Sequence, residues 1–182
     1  WVVEHLSLLP PLRSVYGYLK WTINYFNDGN IYIGQINDKK QYHGKCCFIY
    51  KNSKINYYVG YIKNKEFVDF GAYYNKTWSL IYEGQFEHNK RNGFGVAVLD
   101  DGSTYAGEFN NDLPNGKGVF YFLNGTRFEG NVINGEKTDT GFLISPDCTV
   151  KQEVTYKNGN VIEQGEIMDY KKSKNIICNK FL

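Results

Sequence analysis

The amino-acid sequence predicts an all-β protein, an elongated and twisted solenoid of stacked antiparallel β-hairpins with about five to six repeats. The first observation is a period, because the steps from Tyr82 to Tyr105 and from Tyr105 to Phe128 are both 23 residues long. A period between about 20 and 50 residues is typical of solenoids and other repeat arrays. The second observation is that each repeat opens with side chains alternating between apolar and polar, the period of a β-strand.

Each repeat is predicted to contain two strands and two turns. In the clearest copy, the first arm runs from Tyr82 to Glu87, a polar loop covers residues 88–92, and an apolar second arm runs from Gly93 to Leu99. Asp101-Gly102 and Asn124-Gly125 then indicate tight turns, because glycine adopts positive φ without a steric penalty. A single hairpin cannot bury its apolar face alone, whereas a stack of hairpins can.

Glycines recur inside the predicted strands, where their conformational freedom is costly and therefore needs a structural reason. We expect the reason to be close approach, with an aromatic ring of one repeat lying over the bare backbone of the next. The structural repeat glycines are Gly84, Gly93, Gly95, Gly107, Gly116, Gly118, Gly130 and Gly141.

The copies on either side of the two central ones are less regular. A half unit covers residues 16–26, and divergent units open at Tyr32, Tyr58, Phe128 and Gln152. In the units that open at Tyr58 and Phe128, an aspartate (Asp69 or Asp139) stands where the first mid-repeat glycine is expected. The sequence alone gives no reason for these two aspartates.

The repeat array is predicted to span residues 16–170 as one domain, since no Gly/Ser-rich or Pro-rich linker divides it. Residues 1–15 are predicted to be an N-terminal cap segment, because the apolar stretch 1–9 ends at Pro10-Pro11 and is shorter than the ~20 residues that span a bilayer. Residues 171–182 are predicted to be a C-terminal strand or a loose tail. The chain begins with Trp rather than Met, which leaves open a fragment, a processed form or a larger parent protein.

Composition and the scatter of reactive side chains argue against an enzyme. The net charge is +2 over 182 residues, which does not indicate nucleic acid as a partner. The three histidines are widely separated, and Asp100-Asp101 lies in a turn, where aspartate is favoured for backbone hydrogen bonds. The four cysteines include no C-x-x-C pair, which predicts reduced thiols inside a cell. We therefore predict no catalytic residue, no metal ligand and no cofactor.

The pattern Y-x-G-x-F, N-G-x-G and D-G-x-x-Y in the two central copies resembles the MORN repeat (membrane occupation and recognition nexus), and the resemblance extends from about residue 28 to residue 165. It implies a non-enzymatic, intracellular scaffold that docks protein partners within a larger cytoskeletal or membrane-associated complex. Members of this family occur in cilia and flagella and in protist cortical structures, and some self-associate. The resemblance leaves open a targeting or regulatory segment of a larger enzyme, either a lipid kinase or a lysine methyltransferase.

Two surfaces are candidates for partner binding. The first is an aromatic groove on one sheet face, which would bind an extended peptide or a helix, unless the rings pack on each other. Its residues are Tyr82, Phe86, Tyr105, Phe109 and Phe128. The second is a basic edge that would attract anionic phospholipid headgroups, unless neighbouring acidic residues cancel the charge. Its residues are Lys90, Arg91 and Lys137.

Overall fold

The computed structural model describes residues 19–170, and this range contains 13 β-strands and no helix. The chain forms two compact units, residues 1–97 and 98–182. The strands of the first unit are β1 (Lys20–Tyr25), β2 (Ile31–Ile36), β3 (Tyr42–Ile49), β4 (Tyr57–Lys63), β5 (Glu66–Tyr74), β6 (Leu80–Glu87) and β7 (Lys90–Val98), whose last residue belongs to the second unit. The strands of the second unit are β8 (Thr104–Asn110), β9 (Leu113–Tyr121), β10 (Arg127–Ile133), β11 (Glu136–Ile144), β12 (Val150–Lys157) and β13 (Asn160–Asp169).

Within each unit, every strand pairs antiparallel with the next strand along the chain. The predicted all-β class and the predicted succession of hairpins are therefore confirmed. The described strands lie within the predicted array, 16–170. The predicted cap segment, 1–15, and the predicted tail, 171–182, lie outside the described residues.

Two-residue turns join the strands of the hairpins from β4–β5 onward, and both of their central residues have positive φ, whereas residues 37–41 join β2 to β3. His88 and Asn89 have φ of 49° and 66°, and Asn111 and Asp112 have φ of 49° and 73°. Such type I′ turns match the right-handed twist of a hairpin, and asparagine tolerates positive φ better than most residues. The polar loop predicted over residues 88–92 is therefore too long, because the second strand already begins at Lys90.

Longer turns join one repeat to the next, and most of them are built around an Asx hydrogen bond. Asp101 Oδ1 accepts hydrogen bonds from the backbone N and the Oγ of Ser103, at 2.9 and 2.6 Å. Asn124 Oδ1 accepts the equivalent bonds from Thr126 at 3.0 and 2.7 Å. Gly102 and Gly125 have φ of 81° and 82°, so the two predicted tight turns are confirmed.

The largest buried side chains of the hydrophobic core are aromatic rings, and several of them lie on paired glycines. Tyr82 is fully buried, and a Cβ added to Gly95 would lie 2.5 Å from its ring. Gly84 faces Gly95 across the same hairpin. The expectation that a ring covers the backbone of the next repeat is therefore wrong, because Tyr82 covers the glycine pair of its own hairpin.

The same arrangement recurs along the chain. In four repeats, the hydroxyl of the tyrosine that lies on the glycine pair donates a hydrogen bond to the carbonyl three residues later. The donors and acceptors are Tyr32 and Gln35 (2.6 Å), Tyr58 and Tyr61 (2.8 Å), Tyr82 and Gln85 (2.8 Å), and Tyr105 and Glu108 (3.0 Å). Each ring is therefore fixed at both ends, which explains why this position is a tyrosine in four repeats.

A β-bulge near the start of the second strand accounts for the other glycines. Gly93 and Gly116 have φ of 89° and 116°. Beside them, Gln85 Oε1 accepts a hydrogen bond from the Phe94 backbone N at 2.6 Å, and Glu108 Oε1 accepts one from the Lys117 backbone N at 3.2 Å. The long acceptor side chain occupies the space in which a Cβ on the glycine would lie.

Asp69 and Asp139 keep the same backbone conformation without a glycine. Their φ values are 57° and 58°, in the left-handed region that aspartate tolerates better than most residues. In these two repeats the residue at the position of Gln85 and Glu108 is Tyr61 or Asn131. The pattern indicates two compatible pairs of residues. Either glycine at the bulge is combined with a long acceptor side chain at the earlier position, or aspartate at the bulge is combined with a residue there that is not a long acceptor.

Two cysteines lie in the first unit and are buried. Cys46 and Cys47 are free thiols, and burial raises the pKa of Cys47 to about 12. Cys148 is disulfide-bonded. The prediction that all four cysteines are reduced is therefore wrong at Cys148.

Candidate functional site

The five aromatic residues predicted to line a partner groove lie in the core. Their exposed fractions are 0% for Tyr82, 4% for Phe86, 0% for Tyr105, 3% for Phe109 and 0% for Phe128. Phe86 meets the Tyr82 ring edge-on at 5.2 Å, and Phe109 meets the Tyr105 ring edge-on at 5.3 Å. The structure therefore contradicts an open groove lined by these five side chains and supports the alternative, in which the rings pack on each other.

In several repeats, a side chain from the second strand of the hairpin covers the core aromatic ring of that hairpin. Tyr42 stacks on Tyr32 with ring centroids 4.0 Å apart, and Phe67 stacks on Tyr58 at 3.6 Å. In the next repeat the covering group is cationic, because the Arg91 guanidinium carbon lies 5.5 Å from the centroid of the Tyr82 ring. An arginine over an aromatic face is held by a cation–π attraction.

The predicted basic edge is not continuous. Lys90 and Arg91 are consecutive residues of β7, so their side chains leave opposite faces of the sheet. Lys90 is exposed and Arg91 is half-buried, with its guanidinium over the Tyr82 ring. The third predicted residue, Lys137, also contacts rings rather than projecting freely into solvent.

The Lys137 ammonium lies among four aromatic rings of the second unit, which we call the aromatic cage. The distances from Nζ to the ring centroids are 4.4 Å for Phe120, 5.2 Å for Phe122, 6.0 Å for Phe128 and 5.7 Å for Tyr156. Burial lowers the pKa of Lys137, and the nearby carboxylate of Asp101 opposes this shift. Phe120 and Phe122 are two residues apart, the spacing at which side chains share one face of a strand, but no sequence pattern indicates that Tyr156 and Lys137 would join them.

An apolar patch lies on the opposite face of the sheet in the first unit, and we call it the second-face patch. It contains Phe94, Phe70 and Val96, with exposed fractions of 66%, 39% and 39%. Phe70 is opposite Gln85 in the strand register, and the Phe94 backbone N donates to the same Gln85 side chain. The patch therefore crosses three adjacent strands.

A polar cavity of about 650 Å³ lies beside the bulge in the first unit, and Glu66, Asp69 and His88 are among the residues that line it. His88 Nδ1 lies 2.9 Å from Glu66 Oε2, and this hydrogen bond raises the pKa of His88. Across residues 19–170, no group of three or more His, Cys, Asp or Glu side chains is arranged to hold a metal ion. The same stretch has no helix with the length and apolar character needed to cross a bilayer.

Comparison with known proteins identifies the repeats. The family model of the MORN repeat matches residues 82–104 and 105–127. No curated protein matches the chain.

Two solved structures resemble the chain at low sequence identity. One is the TCP domain of SAS-4 (dCPAP) from Drosophila melanogaster, solved with a proline-rich motif of Ana2 (dSTIL), at 14% identity over 88% of this chain and 96% of that chain, with a TM-score of 0.37. Another is KlHsv2 with loop 6CD replaced by a Gly-Ser linker, at 10% identity over 84% of this chain and 69% of that chain, with a TM-score of 0.23. The family assignment rests instead on the two consecutive repeat matches, whose strands, turns and glycines have the regular geometry described above. Residues 82–127 of the chain are two consecutive MORN repeats.

Proposed function

We propose that this protein is a non-enzymatic interaction module that docks a protein partner within a cytoskeletal or membrane-associated assembly. The second-face patch is the observation that carries the proposal, because Phe94 is 66% exposed on a strand whose other side supplies the core. Fully burying one such side chain contributes about 1.5–3 kcal/mol. MORN repeats in general mediate contacts with proteins or membrane lipids, which agrees with a docking role.

The surroundings of the patch favour one kind of partner. Phe70 and Phe94 flank the polar Gln85, and the exposed Glu83 lies directly opposite Val96 in the strand register. A partner segment with apolar side chains and at least one lysine or arginine would complement this arrangement. The same docking role applies if the array is a targeting or regulatory segment of a larger lipid kinase or lysine methyltransferase, which stays a prediction.

The test is to replace Phe94 with serine and to compare the proteins recovered with each bait from a lysate of the native cell. We expect F94S to lose at least one protein that the wild-type chain retains, because the most exposed ring of the patch is absent. Leu123→Ser is the matched control, since Leu123 is 79% exposed and lies outside the patch. Identical recovery with F94S and wild-type baits of equal stability would contradict docking through this patch.

Phosphoinositide binding through the basic edge is not favoured by the described contacts. The Arg91 guanidinium lies over the Tyr82 ring, and Lys90 projects from the opposite face of β7. A cluster of several uncompensated basic residues is the usual signature of anionic lipid recognition, and this pair is divided between two faces.

A further inference from the structure

We propose that the aromatic cage of the second unit is a recognition site for a methylated lysine of a protein partner, and that Lys137 occupies it when the partner is absent. The site is formed by β9, β10, β11 and β12 with the residues that follow β9. The inference goes beyond the proposed docking function, because it concerns different residues and does not depend on the second-face patch.

The geometry is that of a cation site. All four ring centroids lie within about 6 Å of the Lys137 nitrogen, the range in which aromatic faces attract cations. The rings also support one another, since Phe120 and Phe128 are 6.3 Å apart and Phe128 meets Tyr156 edge-on at 5.1 Å. The arrangement of the rings is therefore fixed largely by their own packing.

An unmethylated ammonium suits this cage poorly. Lys137 Nζ carries three hydrogen-bond donors, and among residues 19–170 its described neighbours are ring faces and the charge of Asp101. Removing a compact, strongly hydrated ammonium from water is costly when its donors are not satisfied, and the pKa of Lys137 is lowered accordingly by burial. A trimethylammonium group keeps the positive charge and has no donors to satisfy.

Lys137 can leave the cage without disrupting the sheet. It lies one residue after the first residue of β11, close to the turn formed by Asn134 and Gly135, which have φ of 51° and 86°. Its side chain is only half-buried, and its contacts in the cage are cation–π contacts that an incoming cation would replace. Lys137 therefore acts as an internal competitor that lowers the affinity of the site for an external cation.

The surroundings favour a lysine side chain over a choline lipid. The cage already accommodates the four-carbon stem of a lysine. Asp101 is close enough for its charge to interact with the cation in the cage, and a carboxylate at that position would repel the phosphate of a phosphocholine headgroup. A methylated lysine carries no phosphate, so the same carboxylate favours it.

The test uses the full chain and its K137A variant, titrated with a trimethyl-lysine peptide and with the same peptide unmethylated, by isothermal calorimetry. Removing the internal competitor should make K137A bind the trimethylated peptide at least about tenfold more tightly than the wild type. Methylation of the peptide should raise affinity for K137A by about tenfold, the fold-change that corresponds to 1.4 kcal/mol, within the range of cation–π contacts. Adding F122A to K137A should abolish this preference, whereas Lys117→Ala, an exposed lysine of β9, should behave as wild type.

Three outcomes would overturn the proposal. One is a folded K137A protein that does not distinguish the methylated from the unmethylated peptide. Another is binding of K137A to phosphatidylcholine vesicles with no binding to the peptide. If K137A does not fold, K137Q takes its place in the peptide titration. In that case wild-type protein is also titrated with tetramethylammonium while the Tyr156 ring signals are followed by NMR. The absence of a saturable change in those signals is the third outcome that would overturn the proposal.

Discussion

At the scale of single residues, the contact between ring and glycine determines which substitutions the core tolerates. Gly95 has no side chain because the Tyr82 ring lies where its Cβ would be. The tyrosine hydroxyl then reaches the Gln85 carbonyl on the far side of the glycine pair. A residue usually regarded as permissive is therefore one of the most restricted positions in the fold.

We expect Gly95→Ala to lower the free energy of unfolding by about 1–3 kcal/mol, the usual cost of forcing an extra methyl group into a packed core. Gly165→Ala is the matched control, because Gly165 is exposed in β13 and its nearest neighbour is the Glu153 Cβ, with no ring in contact. We expect the control to stay within about 0.5 kcal/mol of the wild type. Urea unfolding followed by circular dichroism measures both, and equal effects would show that the ring contact is not the cause.

At the scale of the hairpin, the glycine or aspartate at the bulge is coupled to the residue eight positions earlier. Gly93 occurs with Gln85 and Gly116 with Glu108, whereas Asp69 occurs with Tyr61 and Asp139 with Asn131. The long acceptor side chains lie in the space that a Cβ at the bulge would need. An aspartate at the bulge therefore requires a change at the earlier position.

This coupling predicts a non-additive pair of substitutions. Gly93→Asp alone should destabilise the protein by about 1–3 kcal/mol, because the new Cβ meets the Gln85 side chain. Gln85→Asn together with Gly93→Asp reproduces the pair found at Asn131 and Asp139 and should recover part of the loss. A double-mutant cycle should give a coupling of at least about 0.5 kcal/mol, and strictly additive effects would contradict the explanation.

The hairpins could be predicted from the sequence where the turn signal is local. Asp101-Gly102 indicated its turn because glycine supplies positive φ, but His88-Asn89 contains no glycine, so the same geometry was read as a longer polar loop. The faces of the sheet were harder to assign. Both faces of β7 carry apolar residues, with Ala97 on the core side and Phe94 on the other, and only the packed structure shows which side is buried.

The aromatic cage could not be predicted for a different reason. Lys137 and Tyr156 are 19 residues apart in the sequence, and they meet over the Phe120 and Phe128 rings only through the register of three strand pairs. The bulge in β11 shifts that register by two residues. Alternation along one strand contains no information about this shift, so the sequence predicts Lys137 as part of a basic edge rather than as a neighbour of aromatic rings.

At the scale of the whole molecule, stability should depend on keeping the core phenols neutral. Burial raises the pKa of Tyr50 in the first unit and of Tyr105 in the second unit to about 12 each, whereas an unfolded tyrosine titrates near 10. Because the pKa of each buried phenol is higher in the folded state than in the unfolded state, the contribution of these phenols to stability is fully present below a pH of about 10. It is lost as the pH rises through about 12.

We therefore expect the free energy of unfolding to be nearly independent of pH just below 10 and then to fall steadily towards 12 as the unfolded state loses phenolic protons first. Urea unfolding at a series of pH values measures the curve. Tyr105→Phe removes one of the groups responsible and should make the decline shallower, whereas Tyr25→Phe, at a tyrosine that is 76% exposed, should leave it unchanged. A curve that stays flat to a pH of about 12, or that responds equally to both variants, would show that burial of these phenols does not determine the alkaline limit of the fold.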